Sequence, residues 1–305
     1  MAAPTRRVLL TGSRGFTGRY VRESLAARGY DVVGLVNDGQ AGADERSADI
    51  TSAMAMRELA RELNPDYVIH LAAITFVPHA DAPAIYQTNT IGTLNLLESL
   101  AALPRRPRRV LLASSANVYG SAASEFIDED VPPAPLNHYA ASKLAMEAVA
   151  SVFSDRFPCV ITRPFNYTGP GQASDFLVPK IVDHFAARAH RIELGDLDVE
   201  RDFLDVRSVS AIYSKLLEAA ELESGVLNVC SGRGTTLRAI VSRLEDITGH
   251  RMEVAVNPEF VRPREIRRLV GNNDRLRAAV GEWPDYSLDQ TLRDMLAASA
   301  RMAHG

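Results

Sequence analysis

The sequence is short of cysteine and has no long apolar run. Its two cysteines, Cys159 and Cys230, stand in apolar, strand-like surroundings. We therefore expect buried, reduced thiols rather than a disulfide framework or a metal site. The apolar run after the N-terminal arginines covers only Val8 to Leu10, whereas a membrane span needs about 18 unbroken apolar residues. These absences favour a cytoplasmic protein that holds no metal.

The chain also lacks a strong charge of either sign. Its 305 residues carry 34 Lys and Arg against 38 Asp and Glu, which gives a formal net charge of −4. Because no basic field is present to attract polyanions, neither nucleic acid nor an acidic membrane surface is an expected partner.

Short apolar segments alternate with longer amphipathic segments through the first half of the chain. The apolar segments are RVLLT, DVVGLV, DYVIHLAA, VLLASS and CVITRP. Unbroken apolar strands that are separated by helices of ten or more residues (about three turns) predict a doubly wound parallel sheet of the α/β class. We predict one domain over residues 1–165, to which residues 206–230 return, and a smaller C-terminal region over residues 166–305.

The stretch TGSRGFTG places Gly12, Gly15 and Gly18 between the first strand and the first helix. Glycines at such a turn let the backbone approach a diphosphate, which the helix N-terminus stabilises. The G-x-x-G-x-x-G spacing differs from the general G-x-G-x-x-G fingerprint, so a turn without a ligand is the alternative. The strand before it and the helix after it favour a dinucleotide site.

The end of the second strand bears on which dinucleotide binds. A carboxylate at that point binds the ribose hydroxyls of NAD and repels a 2′-phosphate. The strand instead ends Leu35, Val36, Asn37, and Asp38 follows. Arg14 in the glycine loop suits a phosphate, unless it points into solvent. The sequence thus favours NADP(H), and NAD(H) is the alternative.

Tyr139 and Lys143 are four residues apart in HYAASKLAMEA and share one helix face. A lysine ammonium near a phenol favours the phenolate, so we expect the pKa of Tyr139 to fall below its usual value of about 10. With three lysines and nine tyrosines in the chain, the chance of such a pair is about one in ten. Ser114 and Ser115 follow a predicted strand, where either hydroxyl could bind a substrate oxygen.

A set of motifs in a fixed order extends over nearly the whole chain. They are TGSRGFTG, IHLAA, SSANVYG, YAASK, RPFN and RDFLDV. In this order and at these separations they resemble the extended short-chain dehydrogenases/reductases that act on nucleotide sugars. The resemblance implies a Rossmann fold and a catalytic triad. In it Ser115 orients the substrate oxygen, Tyr139 donates or accepts a proton, and Lys143 tunes Tyr139 and holds the nicotinamide ribose.

The resemblance also implies the remaining site residues. Contacts to the cofactor are expected from Gly12, Arg14, Gly15, Phe16, Gly18, Asn37, Asp49, Ile50, Leu71, Ala72, Ala73, Tyr139, Lys143 and Pro164. Contacts to the sugar nucleotide are expected from Ser115, Asn166, Lys180, Arg201 and Arg262.

Within this family, dehydratases carry acidic residues directly after the triad serine or threonine, where this chain has Ala116 and Asn117. A 4,6-dehydratase would thus lack an agent for its second proton transfer. The stretches FNYTGPGQ, ERDFLDVRSV and VRPREIRRLVGN resemble reductases of GDP-4-keto-6-deoxy-mannose more than UDP-galactose epimerases. The sequence therefore predicts a nucleotide-sugar 4-ketoreductase of deoxysugar biosynthesis, with an NAD-dependent 4-epimerase as the alternative. The intact triad disfavours a non-catalytic cofactor-binding protein.

Two long predicted helices, Ala84 to Leu103 and Tyr139 to Phe157, resemble the pair through which family members form a four-helix dimer contact. We expect a homodimer if their apolar residues face outward, and Leu94, Leu97, Ala145 and Val149 are the candidates.

Overall fold

The computed structural model describes residues 6–75, 81–122, 124–219, 221–260 and 266–302. The strands are β1 Arg7–Thr11, β2 Asp31–Val36, β3 Glu45–Ser47, β4 Tyr67–His70, β5 Arg109–Ala113, β6 Cys159–Pro164, β7 Asn166–Thr168, β8 Arg191–Leu194, β9 Glu200–Asp205, β10 Gly225–Val229, β11 Gly234–Thr236, β12 Glu253–Val256 and β13 Arg268–Leu269. The helices are α1 Phe16–Ala27, α2 Ala53–Leu63, α3 Ala82–Tyr86, α4 Gly92–Ala101, α5 His138–Ser151, α6 Leu177–Ala186, α7 Val206–Glu218, α8 Leu237–Thr248, α9 Asp274–Val280 and α10 Leu288–Met302.

A seven-stranded parallel sheet in the order β10-β6-β5-β4-β1-β2-β3 forms the centre of the molecule. Helices cover both of its faces. One core lies between the sheet and α1 and α7, and a second lies between the sheet and α2, α4 and α5. This is the predicted doubly wound Rossmann arrangement. Because all seven strands are parallel, the residues that follow their carboxyl ends gather along one edge.

Local side-chain caps explain where several helices begin. The side chains of Ser52, Asn137, Asp205 and Thr236 accept hydrogen bonds from backbone N–H groups in the first turns of α2, α5, α7 and α8 respectively. Each cap satisfies a donor that would otherwise lack a partner at a helix N-terminus. The cap at Asn137 fixes the start of α5, on which Tyr139 and Lys143 lie.

The C-terminal part adds two small sheets and a third apolar core. Strands β11, β9 and β13 pair in that order, β7 pairs with β9, and β12 pairs with β8. Helices α6, α8 and α10 pack around a core that includes Ile181, Phe185, Ile240 and Leu292. Strand β10 returns to the central sheet beside β6. The predicted boundary at residue 165 stays a prediction.

Several elements differ from the sequence-based expectation. The polar segment Glu45–Ser47 is a strand because it pairs with β2, although nothing in its composition favours one. The predicted helix from Ala84 to Leu103 consists of α3, a π-helical turn at Gln87–Ile91, and α4. Of the expected dimer residues, Leu97 is fully buried in the core and cannot face a partner, because it packs with the α2 and α5 side chains. In the described part of the chain, no helix has the length and apolarity to span a membrane.

Candidate active site

The glycine loop lies at the carboxyl end of β1 and leads into α1. Gly12 has φ +69°, a conformation that L side chains rarely adopt, and its oxygen accepts a hydrogen bond from the Gly15 N–H at 3.0 Å. A Cβ on Gly18 would lie 2.1 Å from the Gly12 oxygen, so only glycine permits this contact. Gly15 precedes Phe16 at the start of α1 and supplies no side-chain cap. The first turn of α1 therefore keeps N–H groups available for an anion.

A second loop, at the end of β4, lies against the glycine loop. The Thr11 hydroxyl accepts hydrogen bonds from the backbone N–H groups of Leu71 and Ala72, at 3.1 and 3.0 Å. A Cβ on Gly12 would lie 2.9 Å from the Ala72 nitrogen. Ala73, like its two neighbours, is half-buried. The structure thus places three predicted cofactor residues beside the predicted diphosphate loop.

A buried histidine, His70, lies beneath these two loops. One ring nitrogen of His70 lies 2.7 Å from the Thr11 hydroxyl, and the other lies 2.9 Å from the Thr93 hydroxyl. Burial lowers the pKa of His70 to about 3, and the Lys143 charge acts in the same direction. His70 is therefore a neutral hydrogen-bonding group at neutral pH. The sequence analysis gave it no role, although its position in IHLAA, directly before the loop, was the available signal.

The predicted adenine contacts lie at the same edge of the sheet. Asn37 is exposed directly after β2. Asp49 is exposed, and its carboxylate accepts hydrogen bonds from the Thr51 backbone and hydroxyl, both at 2.8 Å. Ile50 is buried against α4, where a Cβ on Gly92 would lie 3.0 Å from it. Asn37 thus follows β2, and Asp49 and Ile50 follow β3, beyond the carboxyl ends of both strands.

The guanidinium of Arg14 is held by other groups of the protein and does not simply point into solvent, which was the alternative expectation. Its guanidinium forms ion pairs with Asp38 and Glu45 and donates to the Gln40 carbonyl. Asp38 could be considered from its place after the second strand, whereas Glu45 could not, because it belongs to the unpredicted strand β3.

The three predicted catalytic residues come from two neighbouring elements. Ser115 follows β5 and precedes the short 3₁₀ turn Ala116–Tyr119, while Tyr139 lies in the first turn of α5. The Ser115 side chain lies next to the Tyr139 phenol and favours its ionised form. Burial raises the pKa of Tyr139 to about 12, and the interaction with Ser115 opposes the rise.

This direction corrects the expectation that Lys143 lowers the pKa of Tyr139. The Lys143 ammonium donates to the Ala113 carbonyl at 2.7 Å, at the end of β5. Burial lowers the pKa of Lys143 to about 8, and the Glu147 carboxylate opposes that fall. The loss of water around the phenol, and not the charge of Lys143, sets the direction of this pKa, so Tyr139 is a protonated acid at neutral pH.

A buried ion pair that the sequence analysis missed lies behind the triad. Glu147, one turn beyond Lys143, accepts two hydrogen bonds from Arg163 of β6, at 3.0 and 2.6 Å. Both side chains are less than a tenth exposed. The hydroxyl of Ser114 donates to the same carboxylate. The pair therefore ties β5, α5 and β6 together beneath the catalytic residues, and Arg163 also stacks over the Tyr119 ring at 4.7 Å.

The predicted sugar-nucleotide residues are spread over the C-terminal part. Pro164 ends β6 and is buried, and Asn166 is exposed at the start of β7, on the same edge as the triad. Lys180 of α6 donates to the Glu193 carbonyl at 3.1 Å and lies over the Phe260 ring. Arg201 of β9 donates to the Glu200 carbonyl at 3.0 Å. Arg262 lies outside the described residues. Their roles toward a substrate stay predictions.

Helix α1 also contacts the segment 167–171, which the sequence analysis did not foresee. The Thr17 and Tyr167 hydroxyls lie 2.8 Å apart, and the Phe16 and Tyr167 rings stack at 6.2 Å. Two neighbouring side chains of α1 add to this: the Tyr20 hydroxyl donates to the Pro170 carbonyl at 2.7 Å, and Arg19 donates to the Gly171 carbonyl at 2.9 Å.

Comparison with known proteins places this geometry in a family. The model of the NAD dependent epimerase/dehydratase family matches residues 8–230, which include the glycine loop, the triad and β10. The chain belongs to this family. The resemblance to the extended short-chain dehydrogenases/reductases is thereby confirmed, and so is the assignment to NAD(P)-dependent nucleotide-sugar oxidoreductases.

Individual members of the epimerase/dehydratase family match nearly the full chain. GDP-6-deoxy-D-mannose reductase of Pseudomonas aeruginosa is 36% identical over 96% of this chain and 97% of its own length. GDP-6-deoxy-D-talose 4-dehydrogenase of Aggregatibacter actinomycetemcomitans is 34% identical over 92% of each chain. A structure of RMD from Pseudomonas aeruginosa complexed with NADPH superposes with a TM-score of 0.85, at 35% identity and over 98% of each chain.

Proposed function

We propose that this protein reduces the 4-keto group of a GDP-linked 4-keto-6-deoxy sugar, with NADP(H) favoured over NAD(H). The observation that carries the proposal is the placement of Ser115 after β5 next to Tyr139 in the first turn of α5, with Lys143 one turn further along α5, at the sheet edge that also carries the glycine loop. The names of two relatives, a GDP-6-deoxy-D-mannose reductase and a GDP-6-deoxy-D-talose 4-dehydrogenase, support a GDP-linked 6-deoxy sugar as the substrate. The product would be a deoxyhexose donor for polysaccharide synthesis.

The residues around α1 fit a dinucleotide. The Ser13 hydroxyl is buried and has no hydrogen-bond partner among the described residues. A cleft of about 500 Å³ beside α1 is lined by Ser13, Arg14, Arg19, Arg22, Glu23 and Ala26, so its cations outnumber its one carboxylate. An uncapped helix N-terminus and cationic side chains are suited to phosphate groups. The glycine loop and the residues 71–73 would hold the diphosphate and ribose, and Asn37, Asp49 and Ile50 would border the adenine. The structure of RMD with NADPH supports the same cofactor here.

When bound, a reduced nicotinamide supplies a hydride to the carbonyl carbon. Ser115 then orients the carbonyl oxygen by a hydrogen bond, and Tyr139 donates its phenolic proton to that oxygen. Because the pKa of Tyr139 is raised, the proton is present at neutral pH. The Lys143 ammonium stabilises the phenolate that remains after the transfer.

The residues after Ser115 favour reduction over dehydration. Ala116 is fully buried, and Asn117 lies in the 3₁₀ turn and donates its backbone N–H to the Ser115 hydroxyl at 3.2 Å. Neither side chain can act as the acid or base that removes water across C5 and C6.

We propose further that the protein works in the cytoplasm as a homodimer that uses the outer face of α4 and α5. Ile91, at the end of the π-helical turn before α4, and Val152, directly after α5, are exposed apolar residues, and Leu94 and Ala145 are half-buried. Val149 is half-buried and packs against the core between α5 and the sheet. Light scattering tests the proposal: Val152→Glu should convert a dimer to a monomer, and a wild-type monomer would refute it.

The test of the reaction is nicotinamide absorbance after mixing the protein with GDP-4-keto-6-deoxy-mannose and NADPH, then NADH. Wild type should oxidise NADPH faster than NADH, and Tyr139→Phe should lose a factor of about 10²–10⁴ in rate. Tyr30→Phe is the matched control: Tyr30 directly precedes β2, at the opposite edge of the sheet, and its phenol donates to Glu218 at 3.3 Å, so the variant should keep most of the rate.

The assay also separates the reductase from the 4-epimerase. An epimerase would consume no added cofactor and would release tightly held nicotinamide when the protein is denatured. That pair of results would replace the reductase with the epimerase.

A further inference from the structure

We propose that Glu45 positions Arg14 to receive the 2′-phosphate of NADP(H), and that Asp38 occupies the phosphate's place on Arg14 when the phosphate is absent. The proposal rests on the proposed preference for NADP(H). It assigns opposite roles to two carboxylates that contact the same guanidinium.

Glu45 holds two of the three nitrogens of Arg14. Its carboxylate accepts from Arg14 Nε at 3.1 Å and from Nη2 at 2.6 Å. Two parallel hydrogen bonds of this kind fix the plane of a guanidinium as well as its position. The remaining nitrogen, Nη1, then faces the loop after β2. Glu45 thus determines which edge of Arg14 is presented to a ligand.

The backbone around Glu45 is built to accommodate its side chain. Glu45 is 8% exposed, and it also accepts the backbone N–H of Gly42 at 2.9 Å. A Cβ on Gly34 of β2 would lie 3.3 Å from the Glu45 Cγ, and one on Gly42 would lie 3.2 Å from a carboxylate oxygen. The hydrogen bond from Arg14 lowers the pKa of Glu45 to about 2, so the side chain remains ionised. A buried, fully satisfied carboxylate of this kind is a fixed part of the fold.

Asp38 is held very differently. Its side chain is 50% exposed in the loop after β2, and it pairs with Arg14 Nη1. The carboxylate also accepts the Gln40 N–H within its own loop at 3.1 Å. Exposed ion pairs contribute little free energy, since water and salt compete for both charges. The Asp38 carboxylate can therefore leave Nη1 at low cost, whereas Glu45 cannot leave Nε and Nη2.

A 2′-phosphate is the anion that this arrangement can exchange for Asp38. It carries more negative charge than a carboxylate and offers several acceptor oxygens to the Nη1 edge. Arg22 lies 3.5 Å from Glu45 and 3.2 Å from Asp44, so its charge offsets these two carboxylates and reduces their repulsion of a phosphate at Arg14. When the cofactor lacks the phosphate, Asp38 returns to Nη1 of Arg14, which allows NAD(H) to bind without leaving that N–H edge unpaired.

The experiment measures direct binding of 2′,5′-ADP and 5′-AMP by calorimetry, without sugar substrate or turnover. The quantity compared is the ratio of the two dissociation constants. Glu45→Gln should reduce the preference for the 2′-phosphate about tenfold, because Arg14 loses its fixed orientation. Asp38→Asn should increase the preference about fivefold, because the competing carboxylate is gone.

Asp44→Asn is the matched control. It makes the same change of one charge on the same loop and contacts Arg22 but not Arg14 among the described contacts, so it should leave the ratio unchanged. Arg14→Lys supplies a second test if Glu45→Gln does not fold: it keeps the charge but cannot be held at two edges, and should lose preference as Glu45→Gln does.

The outcomes separate the two proposals. A wild-type protein that binds 2′,5′-ADP no tighter than 5′-AMP overturns the NADP(H) preference, and the role of Glu45 falls with it. A wild type that prefers 2′,5′-ADP, together with a Glu45→Gln variant that keeps or increases that preference, overturns the role of Glu45 alone. Equal changes in Asp38→Asn and Asp44→Asn would show that Asp38 acts only through net charge.

Discussion

The ion pair between Glu147 and Arg163 should dominate the stability of the catalytic region. We consider Glu147→Leu, which leaves the guanidinium of Arg163 buried without its carboxylate. Both side chains are less than a tenth exposed, and Arg163 Nη1 already lacks a hydrogen-bond partner among the described residues. Breaking one half of a buried pair costs about 3–5 kcal/mol, because the remaining charge is neither hydrated nor paired.

The cost converts to a change in melting temperature. Unfolding entropy is about 2.1 cal/mol/K per residue, so the 305 residues give about 0.64 kcal/mol/K. A loss of about 3–5 kcal/mol should therefore lower Tm by about 5–8 °C. Calorimetry or circular dichroism at neutral pH measures this shift.

A double-mutant cycle separates the buried charge from the loss of packing. The double variant Glu147→Leu with Arg163→Met should be more stable than Glu147→Leu alone, since no unpaired charge remains. The matched control is the pair of Arg46 and Glu62, which has the same 2.6 Å separation but side chains 41% and 54% exposed. Glu62→Leu should cost less than about 1 kcal/mol. A Glu147→Leu variant that melts with the wild type, or a double variant less stable than either single one, would refute the reasoning.

Two further predictions concern protons. Burial lowers the pKa of Lys143 to about 8, so its ammonium is lost as the pH rises through that value and kcat/KM for reduction should fall on the alkaline side. Lys143→Arg should remove this fall. A wild-type rate that stays constant well above this pKa would contradict the role of the ammonium. The pKa of His70 is lowered to about 3 from about 6.5 in the unfolded chain, so its contribution to the free energy of unfolding is full above about pH 6.5 and is lost as the pH falls. From about pH 7 to pH 5.5 the free energy of unfolding should fall by about 1.2 kcal/mol on this account. His70→Gln should show a correspondingly smaller fall in urea titrations, and equal falls in the two proteins would contradict the assignment.

The parts of the site that follow β1 and β5 or lie on α5 could be predicted because each depends on local sequence. The turn at Gly12, the serine after β5, and the four-residue spacing of Tyr139 and Lys143 are set by neighbours along the chain. Parallel strand order then brings them to one edge without further information. The family assignment and the fold class were therefore accessible from the sequence.

Features that depend on distant pairing were not accessible. Glu45 is a strand residue only because β3 pairs with β2, and its contact with Arg14 crosses 31 positions of sequence. From the sequence alone Glu147 resembles a surface residue of a helix, and only the fold shows that it forms a buried ion pair with Arg163 of β6. The direction of the pKa of Tyr139 depends on burial, which spacing along a helix does not report.

The contacts between α1 and the segment 167–171 connect the glycine loop to the part of the chain that leads toward the predicted sugar-nucleotide residues. Thr17, Arg19 and Tyr20 each contact one residue of that segment, so a shift of the chain that leaves β6 toward the sugar-nucleotide side would break these hydrogen bonds or move the first helix with it. A ligand that immobilises the glycine loop would therefore also immobilise the segment 167–171. Amide hydrogen exchange would register this as slower exchange in residues 167–171 when only the dinucleotide is added. Such coupling gives a physical basis for an ordered reaction, in which the cofactor prepares the surface that the sugar nucleotide meets.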